Sequence, residues 1–152
     1  MKEEYSVIFH DAISTIFSNF GFGEVSCKEP YMKEELVCGH SLTTVIGISG
    51  DIKGQIAFSM PTDTAKKIAS TMMMGMEIQE LDDMAFSALG ELTNMICGQA
   101  IIGLSTRMIT ADITPPIIRH GNDEMEVLSH INTCAMELQS NLGIMELNLG
   151  IE

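Results

Sequence analysis

The sequence is short of basic residues. Eight lysines and arginines stand against 21 aspartates and glutamates, so the formal net charge is −13 at pH 7. Nucleic-acid binding needs clustered lysine and arginine to neutralise phosphates. The only adjacent basic pair, Lys66-Lys67, is accounted for by the solvated face of a helix. The composition therefore argues against a nucleic-acid partner.

Closely spaced cysteines and membrane-length apolar runs are also missing. Cys27, Cys38, Cys97 and Cys134 show none of the short paired spacings typical of a disulfide framework or a zinc site. We therefore expect four small buried hydrophobic residues in a reducing compartment. The first residues lack the basic start and apolar run of a signal peptide, and no apolar stretch is long enough for a bilayer span. These features predict a soluble, cytoplasmic protein without a membrane partner.

Apolar residues make up 45% of the 152-residue chain, which is enough for the core of one compact domain over residues 1–152. Aromatic residues account for only 5%, and tryptophan is absent, whereas methionine occurs 13 times. Because methionine is flexible and polarisable, we expect a soft and adaptable core.

The predicted elements follow the same order in both halves of the chain. Helical spacing of apolar residues predicts helices over 4–20 and 81–104, and strands follow each of them. A helix over 62–74, capped by Thr62 or Asp63 and ended by Gly75, joins the halves. The predicted strands span 36–49 and 52–60, then 124–131, 133–140 and 142–150, and extended segments reach Pro30 and Pro115-Pro116.

Residues of the two halves can also be aligned. Ile56, Phe58 and Met60 fall opposite Met145, Leu147 and Leu149, and Pro30 falls opposite Pro115. This weak similarity indicates an internally duplicated helix-plus-strands unit, with pseudo-repeats over about 4–60 and 81–150. The short hairpins predict an α+β fold with helices packed on a mainly antiparallel sheet. Any two amphipathic hairpins share part of this pattern, and that alternative stays open.

The helix predicted over 81–104 has one narrow polar stripe on a largely apolar surface. Glu91 and Asn94 lie next to each other on the stripe, together with Asp83, Ser87 and Gly98. The stripe is a candidate contact line for a partner.

Two glycines, Gly90 and Gly98, interrupt this helix, and each weakens a helix by roughly 1 kcal/mol relative to alanine. Either they leave Glu91 and Asn94 clear for a close approach by a partner, or they permit tight packing of the helix on the sheet. Periodicity does not decide between these interpretations.

The pattern Ser87-x-x-x-Glu91-x-x-Asn94, followed by Met95-Ile96-Cys97-Gly98, resembles the signature helix of the CheC, CheX and FliY phosphatases. That signature also has a proline further along the chain, which Pro115 or Pro116 provides a residue or two early. Residues 76–83 and 52–58 look like family sequence as well, so the resemblance covers essentially the whole chain and implies a CheC-like sandwich.

The resemblance implies a phosphatase that hydrolyses the aspartyl-phosphate of a phosphorylated, CheY-like response regulator. It assigns catalysis to Glu91 and Asn94: Asn94 orients the attacking water, and Glu91 pairs with a lysine of the regulator. Ser87 and Gly98 are expected at the contact surface. The Mg²⁺ that the hydrolysis needs belongs to the regulator, so no cofactor or metal ligand is expected in this chain.

The helix over 4–20 contains no Glu-x-x-Asn pair, whereas CheC and FliY members carry one pair in each half. This absence resembles the CheX branch, which has one site per subunit and forms a homodimer, in chemotaxis or a related two-component pathway. The alternative is a non-catalytic module that binds a response regulator, or one like the middle domain of the flagellar switch protein FliM. The presence of both Glu91 and Asn94 argues against that alternative.

Overall fold

The computed structural model describes residues 4–121 and 126–152, so the start of the strand predicted over 124–131 lies outside the described residues. The described residues form three helices and ten strands, which confirms the α+β prediction. The helices are α1 (Glu4–Asn19), α2 (Thr62–Met72) and α3 (Asp83–Ser105). The strands are β1 (Ser26–Cys27), β2 (Tyr31–Lys33), β3 (Leu36–Val37), β4 (Leu42–Gly50), β5 (Gly54–Met60), β6 (Ala111–Ile113), β7 (Ile117–His120), β8 (Val127–Ser129), β9 (Thr133–Ser140) and β10 (Gly143–Ile151).

The main sheet runs in the order β1-β9-β10-β5-β4-β6, with β2 also beside β9 and β7 also beside β4. A separate small sheet pairs β3 with β8. Each strand pair within the described residues is antiparallel. The hairpins β4–β5 and β9–β10 meet at the centre through β5 and β10, and the short strands after each long helix pair with the hairpin of the other half. This reciprocal pairing supports our proposal of a duplicated unit.

The core lies between the helices and one face of the main sheet. Across β5 and β10, Phe58 pairs with Leu147 and Ile56 with Leu149, and all four side chains are fully buried. Burial of each such side chain stabilises the fold by about 1.5–3 kcal/mol. Helices α1 and α3 pack closely at Gly103. A Cβ atom at this position would lie only 3.0 Å from the Ile8 side chain.

The opposite face of the sheet carries a buried polar layer. The Glu146 carboxylate accepts hydrogen bonds from Lys33 Nζ at 2.6 Å and from Asn148 Nδ2 at 2.8 Å. The Lys33 ammonium compensates the charge of Glu146 where burial would otherwise disfavour it, and Asn148 adds a neutral donor. Lys33 comes from β2 of the first half, so this contact ties the two halves together.

Three local predictions were wrong. The strand predicted over 36–49 is divided into β3 and β4 by residues 38–41, and the segment after Pro116 forms β7, which was not predicted. Pro61 occupies the N-cap of α2 without a side-chain capping bond. Neither Thr62 nor Asp63 is the cap, because both lie inside the helix. The Thr62 hydroxyl instead contacts Ser41 Oγ at 2.9 Å.

The prediction for the cysteines was right for three of them. Cys38, Cys97 and Cys134 are buried, whereas Cys27 on the short edge strand β1 is only half-buried, and all four are free of disulfides. No helix in residues 4–121 and 126–152 is long and apolar enough to cross a membrane.

Candidate active site

Helix α3 carries the predicted site and is firmly anchored in the fold. Its N-cap is Asp82, whose carboxylate accepts a hydrogen bond of 2.9 Å from the Ala85 amide. An aspartate at this position satisfies a backbone donor and interacts favourably with the helix dipole. The buried side of the helix faces the sheet and α1; it consists of Ala85, Leu89, Gly90, Leu92, Thr93, Ile96, Cys97, Ala100 and Leu104.

The predicted polar stripe lies on the outer side of α3. Glu91 and Ser87 are exposed, and Asn94 and Gly98 are half-buried. Glu91 and Asn94 stand one turn apart, so their side chains are neighbours. Within the part of the chain that the structure describes, neither side chain has a hydrogen-bond or ion-pair partner. Both polar groups are therefore available to a partner.

The two glycines of α3 have different surroundings. A Cβ atom on Gly90 would lie 3.2 Å from the Pro116 ring and 3.7 Å from the Ile118 side chain, so Gly90 permits tight packing of the helix on β7. A Cβ atom on Gly98 would meet nothing within 4 Å. The packing interpretation thus holds for Gly90, and only Gly98 leaves open space beside Asn94.

The connection between β6 and β7 packs against the first half of α3. Of the two candidate signature prolines, Pro116 is the one that contacts α3, whereas Pro115 is exposed. Two turns of helix before Asn94, the Phe86 ring packs against His120 of β7 with ring centroids 5.6 Å apart. The strand that the sequence did not predict is therefore one that holds the candidate site in place.

Cys97 lies next to Gly98 in sequence but faces the core. Burial raises the pKa of its thiol to about 12, so the thiol is protonated at neutral pH and is a poor nucleophile. Within the described residues, no group of three or more histidine, cysteine, aspartate or glutamate side chains is arranged to hold a metal ion. The groups on the stripe can form hydrogen bonds and one charge pair. Such groups can position a partner molecule.

Helix α1 packs beside α3 but presents a different surface. Val7 is 53% exposed, and Asp11, Ser14 and Ser18 also lie on or near the outer side. No carboxylate on this face stands three residues before an asparagine.

One exposed residue in register with the stripe was not singled out from the sequence. Met84 is 63% exposed and lies seven residues before Glu91, which is two helical turns. Its helical phase follows from the sequence, but only the folded structure shows that this apolar side chain is exposed.

Comparison with known proteins gives consistent matches. A family model described as chemotaxis phosphatase CheX matches residues 42–139. The CheY-P phosphatase CheX of Thermotoga maritima is 48% identical over 100 residues, which are 66% of this chain and 64% of that protein. The matched segment therefore spans about two thirds of that relative.

Solved structures show the same fold over nearly the whole chain. The chemotaxis protein CheX of Desulfovibrio desulfuricans matches with a TM-score of 0.85 and 26% identity, over 98% of this chain and 99% of that one. CheX of Borrelia burgdorferi, solved as a CheX–CheY–BeF3–Mg+2 complex, matches with a TM-score of 0.80 and 24% identity, over 97% of each chain.

Proposed function

The chain belongs to the CheX family of chemotaxis phosphatases, and we propose that it removes the phosphoryl group from the aspartate of a phosphorylated, CheY-like response regulator. The name of the Thermotoga maritima relative, CheY-P phosphatase, supports this substrate class. The observation that carries the proposal is the pair Glu91 and Asn94 on the outer side of α3, which have no side-chain partner among the described residues.

Hydrolysis of an aspartyl-phosphate requires a water molecule in line with the leaving oxygen. The Asn94 carboxamide suits this task because its oxygen accepts a hydrogen bond from the water while its NH₂ group donates to a phosphoryl oxygen. Holding the water in this geometry removes an entropic part of the barrier. Mg²⁺ bound by the regulator would neutralise charge on the phosphoryl group.

Glu91 provides the charge for docking. A carboxylate one turn before Asn94 can pair with the lysine that accompanies the phosphoaspartate in a receiver domain. This pair fixes the orientation of α3, so that Asn94 enters beside the phosphoryl group. Ser87 and Gly98 line the same stripe and complete the contact surface. From the family relationship we also infer that the chain acts as a homodimer.

Substitution of Asn94 by alanine tests this mechanism. We expect the accelerated loss of phosphoryl from the matching receiver domain to fall by at least about a hundredfold, as when a transition-state hydrogen-bond donor is removed. The control is Gln99→Ala, because Gln99 is a half-buried carboxamide on the same helix but lies away from the stripe. Its activity should stay near that of the wild type. If folded Asn94→Ala protein kept wild-type activity, the proposed role of Asn94 would be wrong.

A further inference from the structure

An open depression lined with methionine lies at the start of α3. Met73, Met76 and Met84 line this depression of about 660 Å³, where the connection from α2 reaches α3. Met76 is 56% exposed and Met84 is 63% exposed. We call these three residues and the space between them the methionine groove. Exposed apolar side chains gathered in one depression are typical of an interaction surface.

The methionine groove is continuous with the polar stripe. Met84 precedes Glu91 by seven residues, so it lies within about 20° of Glu91 around the helix axis and roughly 10 Å away along it. Ser87 lies between them on the same side of α3. A partner that contacts Ser87 and Glu91 therefore lies directly beside Met84.

A protein interface of typical size, centred on Glu91 and Asn94, also covers the methionine groove. A specific protein–protein interface buries about 800 Å² on each partner, and a round patch of that area reaches about 16 Å from its centre. Glu91 and Asn94 alone offer only a small part of this area. A footprint centred on them includes Met84 and reaches towards Met76.

The charge around the methionine groove indicates the chemistry of the surface that fits it. Glu77, Glu80 and Asp82 line the same depression and are exposed. No ion pair to any of them is present in residues 4–121 and 126–152. A complementary surface has an apolar centre with lysine or arginine at its edge.

We propose that the methionine groove determines which response regulator is bound: it receives an apolar patch, flanked by basic side chains, beside the phosphorylation site of the receiver domain. The inference rests on the proposed function, since the receiver domain is its occupant. Methionine side chains adapt to partners of different shape, so related regulators with different side chains at this patch can be accommodated to different degrees.

The test measures kcat and KM for loss of phosphoryl from the host's receiver domains, each phosphorylated with acetyl phosphate. For Met84→Ala we expect KM to rise about tenfold while kcat stays within about twofold, because the groove contributes to binding and not to the orientation of water. Met84→Leu should restore KM. Met108→Ala is the matched control, since Met108 is 89% exposed but follows the far end of α3.

The possible results separate the inference from the function on which it rests. An active wild type whose KM is unchanged by both Met84→Ala and Met76→Ala would overturn the role of the groove and leave the proposed function intact. If Met84→Ala instead changed the molar mass in light scattering, the groove would be an interface between copies of this chain. A wild type that accelerates phosphoryl loss from no receiver domain would overturn both proposals.

Discussion

Gly98→Ala is the substitution for which the structure predicts opposite effects on stability and on activity. Gly98 lies inside α3, and a Cβ atom there would meet nothing within 4 Å. Alanine stabilises a helix interior by roughly 1 kcal/mol relative to glycine. For a chain of this size, that change raises the melting temperature by about 2–4 °C.

The same methyl group obstructs the proposed contact surface. Gly98 lies one turn after Asn94 on the stripe, so the added Cβ would stand where we propose that a receiver domain approaches α3. We expect KM for the phosphorylated receiver domain to rise about tenfold or more, because overpacking a close contact forces the two surfaces apart. We therefore expect the variant to be more stable and less active than the wild type.

Thermal unfolding and a phosphoryl-loss assay on the same preparation measure both effects. Gly90→Ala is the matched control, since its Cβ would lie 3.2 Å from the Pro116 ring and force a shift within the protein. Its melting temperature should rise less than that of Gly98→Ala, because the Pro116 ring must move to accept the methyl group. A Gly98→Ala protein that is stabilised and still fully active would refute the idea of a close approach at Gly98. A Gly98→Ala protein that is destabilised would contradict the finding that a side chain at Gly98 has open space around it.

Three further predictions concern the docking charge, the number of sites and the partly buried ion pair between Lys33 and Glu146. Glu91→Gln should raise KM and flatten the dependence of KM on salt, since a charge pair made on docking is screened by ions; an unchanged salt dependence would contradict the pairing. Ser14→Ala and Ser18→Ala on α1 should leave turnover unchanged, whereas a loss of half the activity would indicate a second site. Lys33→Met should lower the free energy of unfolding in urea by about 3 kcal/mol, because it leaves the Glu146 carboxylate buried without its cation; a loss near zero would show that the pair contributes little.

Much of the architecture could be predicted because local patterns and tertiary packing agree. Helix α3 was predicted over 81–104 and spans Asp83–Ser105, and β9 was predicted over 133–140 and spans Thr133–Ser140. The buried residues of α3 recur at three- and four-residue spacing, and Cys134, Met136 and Leu138 of β9 alternate towards the core. Each element is therefore recognisable without its neighbours. The placement of Glu91 and Asn94 on one outer stripe depends on the same periodicity, and the structure confirms that placement, while their chemical roles stay predictions.

The predictions of strands were wrong where pairing with a strand distant in sequence decides the conformation. Strand β7 is only four residues long and forms because it pairs with β4 on one side of the site. Residues 38–41 leave the sheet because a separate pairing with β8 draws β3 away from β4. Neither partner is close in sequence, so no local pattern indicates these conformations.

The sequence by itself determined the order of the three helices and of the hairpins β4–β5 and β9–β10, the excess of negative charge and the helix that carries Glu91 and Asn94, because each of these depends on residue type and on spacing along the chain. Only the tertiary structure decided that Gly90 packs against Pro116 while Gly98 stays open, and that Met84 is exposed beside the stripe. A glycine looks the same in a sequence whether its missing side chain makes room for the protein's own strand or for solvent. The difference is set by which distant segment lies over it, and that is a property of the folded chain.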